Sequence, residues 1–124
     1  MTDVLIYHNP RCSKSRAALE LLRARGIVPR VVHYLETPPT VAEIEQLLAL
    51  LRIEPRALMR TGEAVYDELG LARVADRSAL ISALHAHPIL IERPIVVTSA
   101  AAPDGQQSRR AVIGRPPERV LEIL

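Results

Sequence analysis

The stretch VLIYHNPRCSKSRAALELLRARGIVPRVVHYL, residues 4–35, decides the fold. Val4-Leu5-Ile6-Tyr7 is a short apolar run that reads as a buried strand. Asn9-Pro10 turns the chain. A helix pattern starts near Ser13, with Leu19, Leu21 and Leu22 inward and Gly26 as its C-terminal stop. Val31-Val32-His33-Tyr34-Leu35 reads as a second strand. Strand, helix and strand at this spacing make a βαβ unit, whose two strands run parallel.

Working outward, Pro38-Pro39 closes that unit and Thr40-Val41-Ala42-Glu43 has the form of a capping box. The helix it opens carries Ile44, Leu47, Leu48 and Leu51 inward. Further helical stretches are expected over 55–60, 63–69 and 78–85, so the block from about 40 to 88 reads as all-helical. Pro94-Ile95-Val96-Val97-Thr98 restarts the strand signal. Pro103-Asp104-Gly105 is a turn and Arg110-Ala111-Val112-Ile113 the antiparallel partner. Gly114 breaks the hairpin, and Arg115-Pro116-Pro117-Glu118 opens a last amphipathic helix with Val120, Leu121, Ile123 and Leu124 inside. The order β-α-β, helical block, β-β-α gives an α/β fold, a thioredoxin-like mixed sheet with an all-helical insert between its halves. All 124 residues are expected to form one domain of common size.

Composition narrows the function classes. Net charge is only +2, without the sustained basic face of a nucleic-acid binder. No segment approaches the roughly 20 apolar residues of a membrane span. One cysteine and four scattered histidines give no zinc-ligand spacing, so no metal is expected. A single cysteine makes no internal disulfide, and MTDVLIYHN lacks the basic and long apolar regions of a signal peptide. The cytoplasm is the expected compartment. Fifteen of the sixteen basic residues are arginine, the better side chain for forked recognition of oxyanions.

Cys12 falls after the first strand, at the mouth of the first helix, where unpaired amides and the helix dipole favour an anion. His8, Arg11, Lys14 and Arg16 surround it in sequence. Such settings lower a cysteine pKa from about 8.5 toward roughly 3.5–7.5. A lone cysteine is more often a small buried hydrophobe, but that residue sits in an apolar run and this one in a polar loop. Cys12-Ser13-Lys14-Ser15 lacks the second thiol of a C-x-x-C pair, and position 18 is Ala where a phosphatase loop needs Arg. What remains is a nucleophilic thiolate whose oxidised product an outside thiol resolves.

Tyr7-His8-Asn9-Pro10-x-Cys12-x-x-Ser15-Arg16 resembles the active-site loop of the glutaredoxin-coupled arsenate reductases. Tyr34-Leu35-Glu36-x-Pro38-Pro39, Arg56-Ala57-Leu58-Met59-Arg60, His87-Pro88-Ile89-Leu90-Ile91-Glu92-Arg93-Pro94 and Gly114-Arg115-Pro116-Pro117-Glu118 extend the likeness in order over the whole chain. The resemblance implies that Cys12 attacks arsenate, that glutathione attacks the adduct as co-substrate, and that glutaredoxin reduces the mixed species and frees arsenite. No bound cofactor is implied. It implies Arg60, Arg93 and Arg115 as oxyanion ligands, His8 as a residue that lowers the thiol pKa and Ser15 as a donor to the sulfur. Asn9, Arg16 and Pro94 support the loop, with Arg93-Pro94 at a position that holds a cis proline in such folds. Residues 98–110 form a longer hairpin tip than the family pattern, and its Arg109 and Arg110 compete with Arg115 as third anion ligand.

Two other readings stay open. A monothiol glutaredoxin-like reductase of protein–glutathione mixed disulfides would use the thiol without needing the arginines. A stress regulator that binds RNA polymerase shares the fold and insert, although some members sense oxidants through the C-x-x-C absent here.

Overall fold

A computed structural model describes residues 2–101 and 107–124. The chain forms two compact units, Met1–His33 with Arg93–Leu124, and Tyr34–Glu92.

The first unit holds a four-stranded sheet in the order β2-β1-β3-β4. Its elements are β1 (Thr2–His8), α1 (Ser13–Ala24), β2 (Arg30–His33), β3 (Ile95–Ala101), β4 (Gln107–Ile113) and a C-terminal 3-10 helix (Pro117–Ile123). β1 pairs β2 in parallel and β3 antiparallel, and β3 pairs β4 antiparallel. The mixed thioredoxin-like sheet is therefore present as expected. Register puts Val31, Ile6, Val96 and Val112 in one row across it. That row joins Val4, Ala18, Leu19, Leu22 and Val120 in the core, packed by α1 and the C-terminal helix. Ile6, Leu22, Val96 and Val120 have no exposure, and each such side chain contributes about 1.5–3 kcal/mol. Gly26 ends α1 at φ +74°, with the Ile27 amide reaching back to the Leu22 carbonyl.

Three expectations shift at the edges. β2 stops at His33, and Tyr34 is fully buried in the second unit. The terminal helix is 3-10 rather than α. With three residues per turn, Pro117, Val120 and Ile123 align inward while Leu124 stays 42% exposed. The hairpin ladder also continues past Thr98 and Arg110 to Ala101 and Gln107. The expected turn at Pro103-Asp104-Gly105 lies outside the described residues.

The second unit carries α2 (Val41–Leu51), a 3-10 turn (Pro55–Leu58), α3 (Ala64–Glu68), a 3-10 turn (Leu71–Arg73), α4 (Arg77–Ala86) and a last 3-10 turn (Pro88–Leu90). The capping box opens α2 with both bonds made, Glu43 amide to Thr40 Oγ1 at 3.1 Å and Thr40 amide to Glu43 Oε1 at 3.0 Å. α2 packs on α4. The helix expected over 55–60 ends at Leu58, because Met59 leaves it to bridge Ile91. This bridge makes the block less than wholly helical. Arg56 turns inward, donating to the Tyr66 hydroxyl and to the carbonyls of Leu71 and Val74. Among the described residues no helix is long and apolar enough to cross a membrane.

Candidate active site

β1 delivers the chain to His8 and Asn9, both buried, and the loop that follows is fixed by its own backbone. The Asn9 side chain accepts from the Arg11 amide at 3.0 Å, and the Cys12 amide donates to the Asn9 carbonyl at 3.0 Å. These bonds close an Asx turn that the Asn9-Pro10 pair favours. Arg16 Nη1 donates to the Pro10 carbonyl at 2.8 Å and ties the loop from outside.

Cys12 is the N-cap of α1, half-buried, at φ −94° and ψ 120°. No side chain caps the helix in the strict sense. Burial pushes the Cys12 thiol up, but the main-chain amides of Ser15 and Lys14 and the guanidinium of Arg93 outweigh it, and the pKa lies below its ordinary value of 9.0. The first helical turn contains no acidic residue to oppose them.

The positive field expected from Arg11 and Lys14 is not what holds the thiol down. Both side chains are exposed. Arg93 does that work, from 81 positions further along the chain, together with amides that sequence reading sees only as a helix N-terminus. The Arg93-Pro94 bond is cis, as the resemblance implied, and so is Arg115-Pro116. Arg115 Nη1 donates to the Arg93 carbonyl at 3.2 Å, so the two arginines meet at the strand ends.

His8 and Ser15 form the loop's buried anchor. His8 Nδ1 lies 2.6 Å from Ser15 Oγ, and the Asn9 amide donates to the same oxygen at 3.0 Å. Burial, followed by the charges of His33, Arg23 and Arg16, lowers the His8 pKa below 6.5, so the ring is neutral at neutral pH. The Ser15 side chain is fully buried. Its proton therefore goes to His8 Nδ1, with the ring proton on Nε2, because the other tautomer would strand a buried hydroxyl. The expected hydroxyl-to-sulfur bond is thus replaced. The Ser15 amide faces Cys12 while its hydroxyl holds His8. The His33 ring stands edge-on to His8, centroids 6.0 Å apart.

The remaining expected residues divide between the units. Arg60 belongs to the helical unit, where it pairs with Glu63 and Glu92. Arg109 and Arg110 stand opposite Ser99 and Thr98, level with Asp3 and Val4 at the start of β1. The Cys12 loop follows the other end of that strand. At about 3.3 Å per residue this separates them from the loop by roughly 13–17 Å, so they do not replace Arg115. The described residues hold no group of three or more potential metal ligands.

Comparison with known proteins agrees with this architecture. The ArsC family model matches residues 7–123. The chain is 48% identical to an arsenate reductase of Escherichia coli K12 over 127 residues, covering all of this chain and 82% of that protein. It is 50% identical to the uncharacterized protein YfgD of the same organism, over 98% of this chain and 97% of that one. An arsenate reductase structure from Vibrio cholerae superposes with a TM-score of 0.86 at 49% identity, covering 99% of this chain and 98% of its own. With the family match spanning both units and half the residues shared with full-length relatives, the chain belongs to the ArsC family.

Proposed function

We propose that this chain reduces arsenate to arsenite through the Cys12 thiolate, with glutathione and glutaredoxin as the reductants. The observation that carries the reading is the Arg93 guanidinium beside Cys12, which helps hold the thiol below its ordinary pKa. The same group that favours the thiolate also offers donors to an incoming oxyanion, which sets nucleophile and target together. The half-identity to proteins named arsenate reductase supports arsenate as that oxyanion.

In this mechanism the thiolate attacks arsenic and an oxygen leaves as water, giving a thiol–arsenate adduct. Arg93, Arg115 and Arg60 offset the oxyanion's charge, which would otherwise repel the thiolate. Glutathione adds to the adduct's arsenic with loss of a second water. A glutaredoxin thiolate then attacks the glutathione sulfur, forming a mixed disulfide while the sulfur–arsenic bond pair reduces arsenic(V) to arsenic(III). Water cleaves the Cys12–arsenic bond to free arsenite and the thiol. A chain with a single cysteine needs this outside thiol. Glutathione and glutaredoxin place the reaction in the reducing cytoplasm. His8 and Ser15 act through the loop, keeping the amides of the first helical turn aimed at sulfur.

The test is a coupled assay that follows NADPH loss with arsenate, glutathione, glutaredoxin and glutathione reductase. Arsenate-dependent turnover that vanishes in Cys12→Ser is the expected result. No turnover from a chain whose thiol still titrates low would reject arsenate and leave the reactive thiolate in place.

A further inference from the structure

Residues 9–19 carry Arg11, Lys14 and Arg16 and no carboxylate. Arg16 ties the loop through the Pro10 carbonyl. The side chains of Arg11 and Lys14 make no ion pair or hydrogen bond among the described residues, and both are exposed. Each leaves a fixed main chain. The Arg11 amide is held by Asn9 Oδ1 at 3.0 Å, and Lys14 lies in the first turn of α1 with its amide facing the sulfur. Glu20, the first carboxylate along α1, pairs instead with Arg23 at 3.7 Å. Cations at the positive end of a helix cost stability, and neither side chain is among the groups that hold the thiol down. Their charge serves neither the fold nor the nucleophile.

We propose that Arg11 and Lys14 dock the carboxylates of glutathione, holding its sulfur at the group carried on Cys12. This rests on the reading of Cys12 as a thiolate whose product glutathione resolves. By the time glutathione arrives, the oxyanion already occupies the donors at sulfur, Arg93 among them. The second substrate then needs anion-binding groups further out, on the exposed side of the loop. Glutathione has a carboxylate at each end of about 10 Å of extended chain and its thiol between them. Arg11 stands one position before Cys12 and Lys14 two after it, so the cations bracket the sulfur along the chain as the carboxylates bracket the thiol. As a thiolate, glutathione carries two net negative charges toward a negatively charged adduct. Two cations free of internal partners offset that repulsion and raise the local concentration of the tripeptide.

The experiment measures how fast Cys12, in the full chain without arsenate, attacks oxidised glutathione and a neutral disulfide, bis(2-hydroxyethyl) disulfide. In each case the thiolate attacks one sulfur, a mixed disulfide with Cys12 forms, and the other half leaves as a thiolate. The ratio of the two rates cancels the reactivity of Cys12 itself and controls for folding. Arg11→Gln and Lys14→Gln should each lower that ratio by about threefold to tenfold. Added salt should lower the wild-type ratio toward theirs, and Lys14→Arg should retain it. In the coupled assay the two glutamine variants should raise KM for glutathione and leave KM for arsenate unchanged. A ratio that the glutamine variants leave unchanged would overturn the docking, and so would equal slowing with both disulfides, which would place the cations' effect on the thiol. A rise in KM for glutaredoxin in place of glutathione would also overturn it, making this surface a contact for an acidic protein. If wild type turns over no arsenate but the ratio still falls in the variants, arsenate is the wrong substrate and glutathione docking at Cys12 stands.

Discussion

The buried Ser15 hydroxyl accepts from the Asn9 amide and lies 2.6 Å from His8 Nδ1, the acceptor that keeps its own proton satisfied. Ser15→Ala therefore leaves the thiol's amide donors in place and removes His8's partner. The expected cost is about 1–3 kcal/mol of stability, the penalty for an unsatisfied buried acceptor, with little change in the thiol's titration. Urea unfolding and thiolate absorbance near 240 nm check the two parts separately. A large rise in the Cys12 pKa would show that the hydroxyl serves sulfur after all. Arg93→Ala is the contrasting variant, because it removes a side chain that favours the thiolate. The pH at which iodoacetamide alkylates Cys12 at half its maximal rate should move upward in that variant. The result would fail if wild type and Arg93→Ala gave superimposable profiles.

Among the elements, the join between β4 and the C-terminal helix has the least room. A Cβ on Gly114 would lie 2.9 Å from Pro94 Cγ and 3.0 Å from Val120 Cγ1, and the Gly114 amide donates to the Pro94 carbonyl at 2.8 Å. Gly114→Ala must displace Pro94 or Val120, at a cost of about 1–3 kcal/mol. Because Pro94 follows Arg93, the same variant should raise the Cys12 pKa as well as lower the unfolding midpoint. A stability loss without a change in thiol titration would separate the two effects. This close approach shows what the sequence can and cannot reveal. The breaker role of Gly114, the Gly26 stop and the Thr40–Glu43 box are local, fixed by residues within a turn of each other, and all were legible. The contact that makes Gly114 necessary brings in Pro94 from 20 positions upstream and was not. Arg56 and Arg60 show the same limit. They lie four positions apart in a stretch expected to be helical, but Met59 pairs with Ile91, and the two arginines take unrelated partners.

Across the whole molecule, the two shifted groups each make stability fall on acidification, Cys12 from pH 9.0 downward and His8 from 6.5 downward. Cys12 is ionised more readily in the folded chain than at its ordinary pKa of 9.0. Its contribution is therefore complete above pH 9.0 and is lost as pH falls through the lowered folded value. His8 resists protonation when folded, relative to its ordinary 6.5. Between 6.5 and its lowered folded value the unfolded chain takes up a proton that the folded chain refuses, so stability falls again. Urea unfolding across that range, in buffers free of oxyanions, should show both declines superimposed on the carboxylate background. Subtraction isolates them. Cys12→Ser removes the alkaline decline and leaves the acid one. His8→Asn, whose Oδ1 can stand where Nδ1 stood and accept from Ser15, removes the acid decline and leaves the alkaline one. If wild type and His8→Asn kept a constant difference through the acid window, His8 would not be the group titrating there. Its neutrality would then have to come from something other than burial beside His33, Arg23 and Arg16.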